Sequence, residues 1–261
     1  MSGPTLPDAQ AQDEARTLEL TRGLSAVRDR IAAACDAVGR DPALVTLIVV
    51  TKFFPAPDLV RLLRLGVTDI GENRDQEAAA KLDQLRALAP QTLPRVHFIG
   101  QLQTNKATSV ARYADVVHSV DRQRLVRALE RGAQAAQRTL EVLIQVNLDE
   151  QQDVGDSGNG AARTGPGRGG VAPWELPEVA GVVEQCPSLR LRGLMGVAPL
   201  GGQADRAFER LAALSRQLQG EHPGADVISA GMSGDLEAAV AAGATHLRVG
   251  SAILGSRPPH G

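Results

Sequence analysis

The chain has 261 residues, a net charge of −2 and a pI near 6.2. That balance supplies no overall pull toward nucleic acid or anionic membrane, and aromatics at 2% offer few stacking platforms for bases. Hydrophobic residues at 43% suffice for one large aliphatic core, and α/β barrels of this size are common as single domains.

Residues 1–12 are polar, hold two prolines and are expected to be disordered, leaving 13–261 as one domain. The N-terminus has neither the basic start nor the apolar stretch of a signal peptide. No apolar run reaches the roughly 20 residues that span a bilayer. A cytoplasmic protein is expected. From residue 15 to 38, Leu18, Leu20, Leu24, Val27, Ile31, Ala34 and Val38 recur at helical spacing, and Gly39 supplies a stop.

Short strand-like runs then alternate with helical patterns. The predicted strands cover 47–51, 69–71, 96–100, 116–120, 142–147, 191–195, 226–230 and 246–250. The predicted helices cover 57–65, 72–88, 104–113, 122–137, 173–185, 205–219 and 234–242. Strands joined by crossover helices must be parallel. Eight of them close an α/β fold of the (β/α)₈ TIM type, here with an extra N-terminal helix. A doubly wound open sheet is the other arrangement. Residues 151–172, "QQDVGDSGNGAARTGPGRGGVA", hold seven glycines and read as a flexible loop after the fifth strand. They lack the spacing of a P-loop or a dinucleotide fingerprint. Cys35 and Cys186 match no metal motif and are expected to be reduced thiols.

Functional groups of a parallel barrel sit at the C-terminal ends of its strands. In "LIVVTKFFPAP", Ile48, Val50 and Lys52 share one face while Leu47, Val49 and Thr51 share the other. If the first set faces inward, Lys52 points into the mouth. A desolvated lysine loses part of its preference for the charged form, and the neutral amine can attack a carbonyl. A lysine that snorkels to solvent fits the same pattern. In "ISAGMSGDLEAAVAAG" a helix begins near Ser233, which is placed to cap it and to offer an anion site, or simply to cap it. Arg248 lies inside the last strand, and Gly250 and Ser251 follow at its end. The last two βα loops of such barrels often form a phosphate site. One ligand with a carbonyl at one end and a phosphate at the other would satisfy both places. Glu72 and Asn73 end the second strand; helix capping explains them, and that position also faces the mouth. Residues 97–107, "HFIGQLQTNKA", likewise enter a helix capped by Thr104 or Asn105. His97 and His118 are not at ligand spacing and read as hydrogen-bonded structural histidines. With no HExxH, CxxC or Ser–His–Asp order, no metal and no hydrolytic triad are expected.

The stretches "VVTKFFP", "DIGENRDQEA", "HFIGQLQTNK", "LRGLMGVAP" and "AGMSGDLEAAVAAGATHLRVGSAILG" resemble the successive motifs of the pyridoxal phosphate homeostasis protein family. Those proteins are single-domain barrels similar to the N-terminal domain of alanine racemase, and the resemblance runs from about residue 20 to 256. It implies bound pyridoxal 5′-phosphate (PLP), held as a Schiff base on Lys52. By the same resemblance Ser233, Gly250 and Ser251 take the phosphate, with Met232 beside them. Arg248 faces the pyridine nitrogen and Asn73 lines the pocket. The sequence departs from the family at Arg74, where "GENY" is usual, and in the length of the loop 151–172.

Arginine stays protonated, so Arg248 can donate to a ring nitrogen and cannot accept its proton. Tyr113 is the one tyrosine, and the chain stops a few residues after Gly255, so a two-base proton transfer is not expected. The sequence therefore reads as a monomeric PLP carrier or buffer that maintains vitamin B6 and amino-acid pools and meets apo PLP-dependent enzymes only transiently. A PLP-dependent racemase or lyase is the alternative, and a cofactor-free Schiff-base aldolase is a third.

Overall fold

The computed structural model describes residues 6–149, 169–199, 201 and 203–256. A strand forms at each of the eight expected places. They are β1 (Thr46–Val50), β2 (Asp69–Glu72), β3 (Arg95–Phe98), β4 (Val116–Val120), β5 (Leu140–Gln145), β6 (Leu189–Met195), β7 (Val227–Ser229) and β8 (His246–Val249). All neighbours pair in parallel, in sequence order, and β8 closes on β1 with Thr46 beside His246 and Ile48 beside Arg248. The chain is a closed barrel, not an open sheet.

Strand alternation sorts residues into two environments. Val49, Ile70, Val96, Phe98, Val117, Leu194 and Leu247 face outward into the main core beneath the helices. Val116, Leu143, Met195 and Val227 form a small separate cluster inside the barrel. Ile48 and Val50 also point inward, because a side chain built on Gly71 would touch both.

Outside the strands run α1 (Leu6–Asp36), α2 (Ala56–Arg64), α3 (Asp75–Leu88), α4 (Ala107–Val110), α5 (Gln123–Ala135), α6 (Leu176–Glu184), α7 (Ala204–Glu221), α8 (Leu236–Ala241) and α9 (Ser251–Leu254). The helix after β8 is only four residues long and cannot cover the barrel wall there. Helix α1 fills that gap. Its buried stripe, Leu20, Leu24, Val27, Ile31 and Cys35, joins the main core, whereas Leu18 and Val38 stand exposed off the stripe. Gly23 brings α1 close to α9: a Cβ there would sit 2.7 Å from the Ile253 carbonyl oxygen. Arg16 and Arg61 both donate to the buried Asp58 carboxylate, at 2.8 and 2.7 Å, which ties α1 to α2.

Three local expectations change. Residues 6–12 belong to α1 and are helical, not disordered; residues 1–5 lie outside the described residues. The helix expected from 72 begins at Asp75, because Arg74 is extended (φ −126°, ψ 120°). The helix expected over 104–113 is a 3₁₀ turn (Thr104–Lys106) followed by the short α4, with Gln103 preceding it instead of a Thr104 or Asn105 cap. Most of the Gly-rich segment falls outside the described residues. Its end is ordered onto the barrel: the Val171 N–H donates to Gln145 O at 2.8 Å, and Val171 O accepts from the Asn147 N–H at 2.9 Å.

Candidate functional site

The turn after β1 carries Lys52, which is half-buried, with Nζ 5.8 Å from the centroid of the Phe53 ring. Phe53 adopts φ +71°, a region that costs a bulky L-residue about 1–3 kcal/mol and persists only when its surroundings hold it. The holding groups are on the other face of the strand. Thr51 Oγ1 donates to Glu72 Oε1 at 2.6 Å. Lys81 Nζ, from α3, donates to the Thr51 carbonyl and to Glu72 Oε1, each at 2.8 Å. The Phe53 N–H donates to Glu77. Alternation thus sends Thr51 outward and leaves Lys52 on the inward face. Glu72 does not face the mouth, as its position at the strand end had suggested; it is buried under α3, and burial pushes its carboxyl up despite the Lys81 ammonium.

The chain has three lysines, and their surroundings differ. Lys81 is buried and ion-paired with Glu72. Lys106 is over a third exposed and sits 3.9 Å from Asp75 Oδ2. Lys52 has no carboxylate within 4 Å among the described residues. An amine that must lose its proton to react is poorly served by an adjacent anion. Lys52 is the lysine free of that constraint.

The loops after β7 and β8 meet on the same rim. Ser233 Oγ and Ser251 Oγ lie 3.4 Å apart. Gly250 packs flat on β1: an added Cβ would sit 3.1 Å from the Val50 carbonyl oxygen, two residues before Lys52. Ser233 does not cap α8. Asp235 takes that end, and its carboxylate accepts the Met232 N–H at 2.6 Å, so the Ser233 hydroxyl is left facing Ser251. Met232 is 39% exposed beside them. Asn73, at the end of β2, lines an open cavity of about 470 Å³ with Arg74, Gln101 and Lys106. Its carbonyl is held against Gly100, where a Cβ would approach to 2.2 Å. The expected residues therefore occupy the C-terminal ends of β7, β8, β1 and β2, four consecutive strands of the barrel.

Arg248 lies inside the barrel and is 5% exposed. Nη1 donates to Ser229 Oγ at 2.6 Å and Nη2 to the Gly196 carbonyl at 2.9 Å. No carboxylate pairs with it among the described residues. Burial pushes its guanidinium down to about 10, so it remains a cation at neutral pH. His118 and His97, from β4 and β3, stand next to it in the interior and are hydrogen-bonded to each other at 2.8 Å.

The family model for the alanine racemase N-terminal domain matches residues 24–258. The pyridoxal phosphate homeostasis protein of Mycobacterium bovis is 42% identical over 257 residues, spanning 93% of this chain and 94% of that protein. That of Escherichia coli K12 is 36% identical over 242 residues, covering 92% and 97%. The chain belongs to this family. Among solved structures, PipY of Synechococcus elongatus PCC7942 with PLP bound superimposes with a TM-score of 0.72 at 31% identity, covering 90% of this chain and all of that one.

The expected departure from the family at Arg74 places a guanidinium against the Phe53 ring. The Arg74 guanidinium lies 5.0 Å from the centroid of the Phe53 ring, which Lys52 Nζ approaches to 5.8 Å. Lys81, Glu77 and Ser229 were not singled out from the sequence. A lysine or glutamate on a charged helix face carries no pattern that marks it as buried, and Ser229 is one small residue in a strand. Tyr113 is buried in the outer core.

Proposed function

We propose that this protein binds PLP at the mouth of its barrel and carries or buffers it. The observation that supports this best is a conjunction on one rim. A lysine without an acidic neighbour, two facing serine hydroxyls and a buried guanidinium without a carboxylate all converge there. The residues fit the cofactor. Gly250 leaves backbone room beside Val50 that any side chain would fill, and Arg248 has donors to spare, since a guanidinium offers five and two are used. Ser233, Ser251 and Gly250 would hold the phosphate, Arg248 would face the ring nitrogen, and Asn73 and Met232 would border the pocket. PLP supplies an aldehyde that condenses reversibly with a primary amine, and Lys52 is the amine we assign to that link.

The same residues argue for weak chemistry. Arg248 donates and cannot take up the ring proton, so the cofactor's electron sink stays shallow. Tyr113 is packed beneath the helices, where burial raises its hydroxyl, and is not placed as a proton donor at the rim. A carrier that hides a reactive aldehyde needs binding without turnover. No described helix is long and apolar enough to cross a membrane. A monomer in the cytoplasm is the setting this reading proposes. Transient contact with apo PLP-dependent enzymes would then pass the cofactor on.

Reconstitution with PLP tests this reading. The account expects a visible absorbance band on PLP loading that Lys52→Ala removes. A band that persists in the variant would refute the lysine assignment, and a wild-type protein that takes up no PLP would refute the function.

A further inference from the structure

A single file of hydrogen bonds crosses the barrel interior from Arg248 to its floor. Arg248 Nη1 is 2.6 Å from Ser229 Oγ. Ser229 Oγ is 3.0 Å from His118 Nδ1. His118 Nε2 is 2.8 Å from His97 Nδ1. His97 Nε2 is 2.8 Å from Asp69 Oδ1, at the first residue of β2. Ser229 and His118 are fully buried and His97 is 1% exposed.

The two ends, together with neutral rings, set the direction of every bond between them. A guanidinium only donates and a carboxylate only accepts. Ser229 therefore accepts from Arg248 and has its own proton to give to His118 Nδ1. His118 must then carry its proton on Nε2 and donate to His97 Nδ1. His97 in turn carries its proton on Nε2 and donates to Asp69. This arrangement puts both rings in the same neutral tautomer, with the formal charges only at the ends. Burial, with the Arg248 cation adding to it, holds His118 well below the usual histidine range. Asp69 stays a carboxylate: the His97 and Thr68 hydrogen bonds outweigh the upward push of burial. Chains polarised in one sense strengthen each link.

We propose that Ser229, His118, His97 and Asp69 are positioning residues: they form a one-way relay that locks Arg248 in place and couples the barrel floor to the ligand at the mouth. This rests on the ligand site assigned above for its functional consequence, though not for its geometry. The floor end is the adjustable one. Asp69 is partly exposed, with a side-chain exposure of 14%, and the charged residues Arg95, Glu141, Arg192 and Asp226 cluster on the same side of the barrel. His246, whose ring centroid is 6.1 Å from that of His97, is a further titratable group there.

Nitrogen-15 NMR of the ligand-free protein reads the tautomers directly. Both His97 and His118 are expected as the neutral Nε2–H form at pH 7. An Nδ1–H ring or a doubly protonated ring at either position overturns the relay. Asp69→Asn and Ser229→Ala then test the coupling. In each variant the Arg248 guanidinium resonances are expected to shift and PLP binding to weaken by roughly fivefold, with the fold intact by circular dichroism. Unchanged Arg248 resonances and unchanged affinity in both variants overturn the coupling. Should the wild-type protein fail to bind PLP, the function proposed above falls, and the tautomers and Arg248 resonances still decide the relay.

Discussion

Lys81 and Lys52 lie on opposite faces of one turn and do opposite things. Lys81 is 6% exposed and its ammonium satisfies Glu72 Oε1, the Thr51 carbonyl and, at 3.3 Å, Glu77. Removing one partner of a buried pair strands the other, at a cost of about 3–5 kcal/mol. Lys81→Met is expected to lower stability by about that amount in urea unfolding, while Lys81→Met combined with Glu72→Leu restores much of it. A single variant as stable as wild type would show that the pair does not hold the turn. Because this pair also holds Phe53 at positive φ, the single variant should weaken PLP retention as well. The Lys52 side of this turn was legible in the sequence, since alternation alone set Ile48, Val50 and Lys52 on one face. The Lys81 side was not, because a buried ion pair depends on two residues brought together only by the fold.

Helix α1 substitutes for the missing outer helix after β8. Its buried stripe covers the wall that α9 is too short to cover. Leu24 is 2% exposed within the main core, and a Leu→Ala change at such a site costs about 2–5 kcal/mol. Leu24→Ala is expected to shift thermal unfolding of the whole barrel in one transition, measured by calorimetry. A separate low-temperature transition would mean that α1 is not part of the core. The helix was legible from its periodicity, but its true start was not. Residues 6–12 lack apolar spacing, and their helicity follows from propagation out of a helix nucleated by packing further along. At the other end of the barrel wall, Gly100 lets β3 run under Asn73. Gly100→Ala would drive a Cβ into the Asn73 carbonyl. Reduced PLP affinity in a protein that still folds is the expected result, read by equilibrium dialysis.

The whole barrel encloses polar groups that most cores exclude. Burial lowers both His118 and His246, the latter to about 4. The unfolded chain therefore binds more protons than the folded one between that value and the ordinary histidine range. Stability is full above pH about 6.5 and falls as pH drops toward 4. Each of these two histidines contributes up to about 1.4 kcal/mol per pH unit across the window, the partly exposed His246 less. Urea midpoints at pH 7 and pH 4.5 measure the fall, and His246→Gln should make it shallower. An unaltered slope would place His246 in solvent. At this scale the sequence was clear about the closed eight-stranded barrel, because strand and helix patterns alternate along its length. It was silent about the interior: no spacing along the chain relates Asp69, His97, His118, Ser229 and Arg248, which meet only when β2, β3, β4, β7 and β8 curve around one axis.

The central claim is that one amine, on Lys52, holds the cofactor. Borohydride reduction of the PLP-loaded protein freezes any amine–aldehyde link, and peptide mass spectrometry then locates it. The account predicts a single pyridoxyl adduct on the peptide containing Lys52. An adduct found on Lys81 or Lys106 with Lys52 unmodified would contradict it.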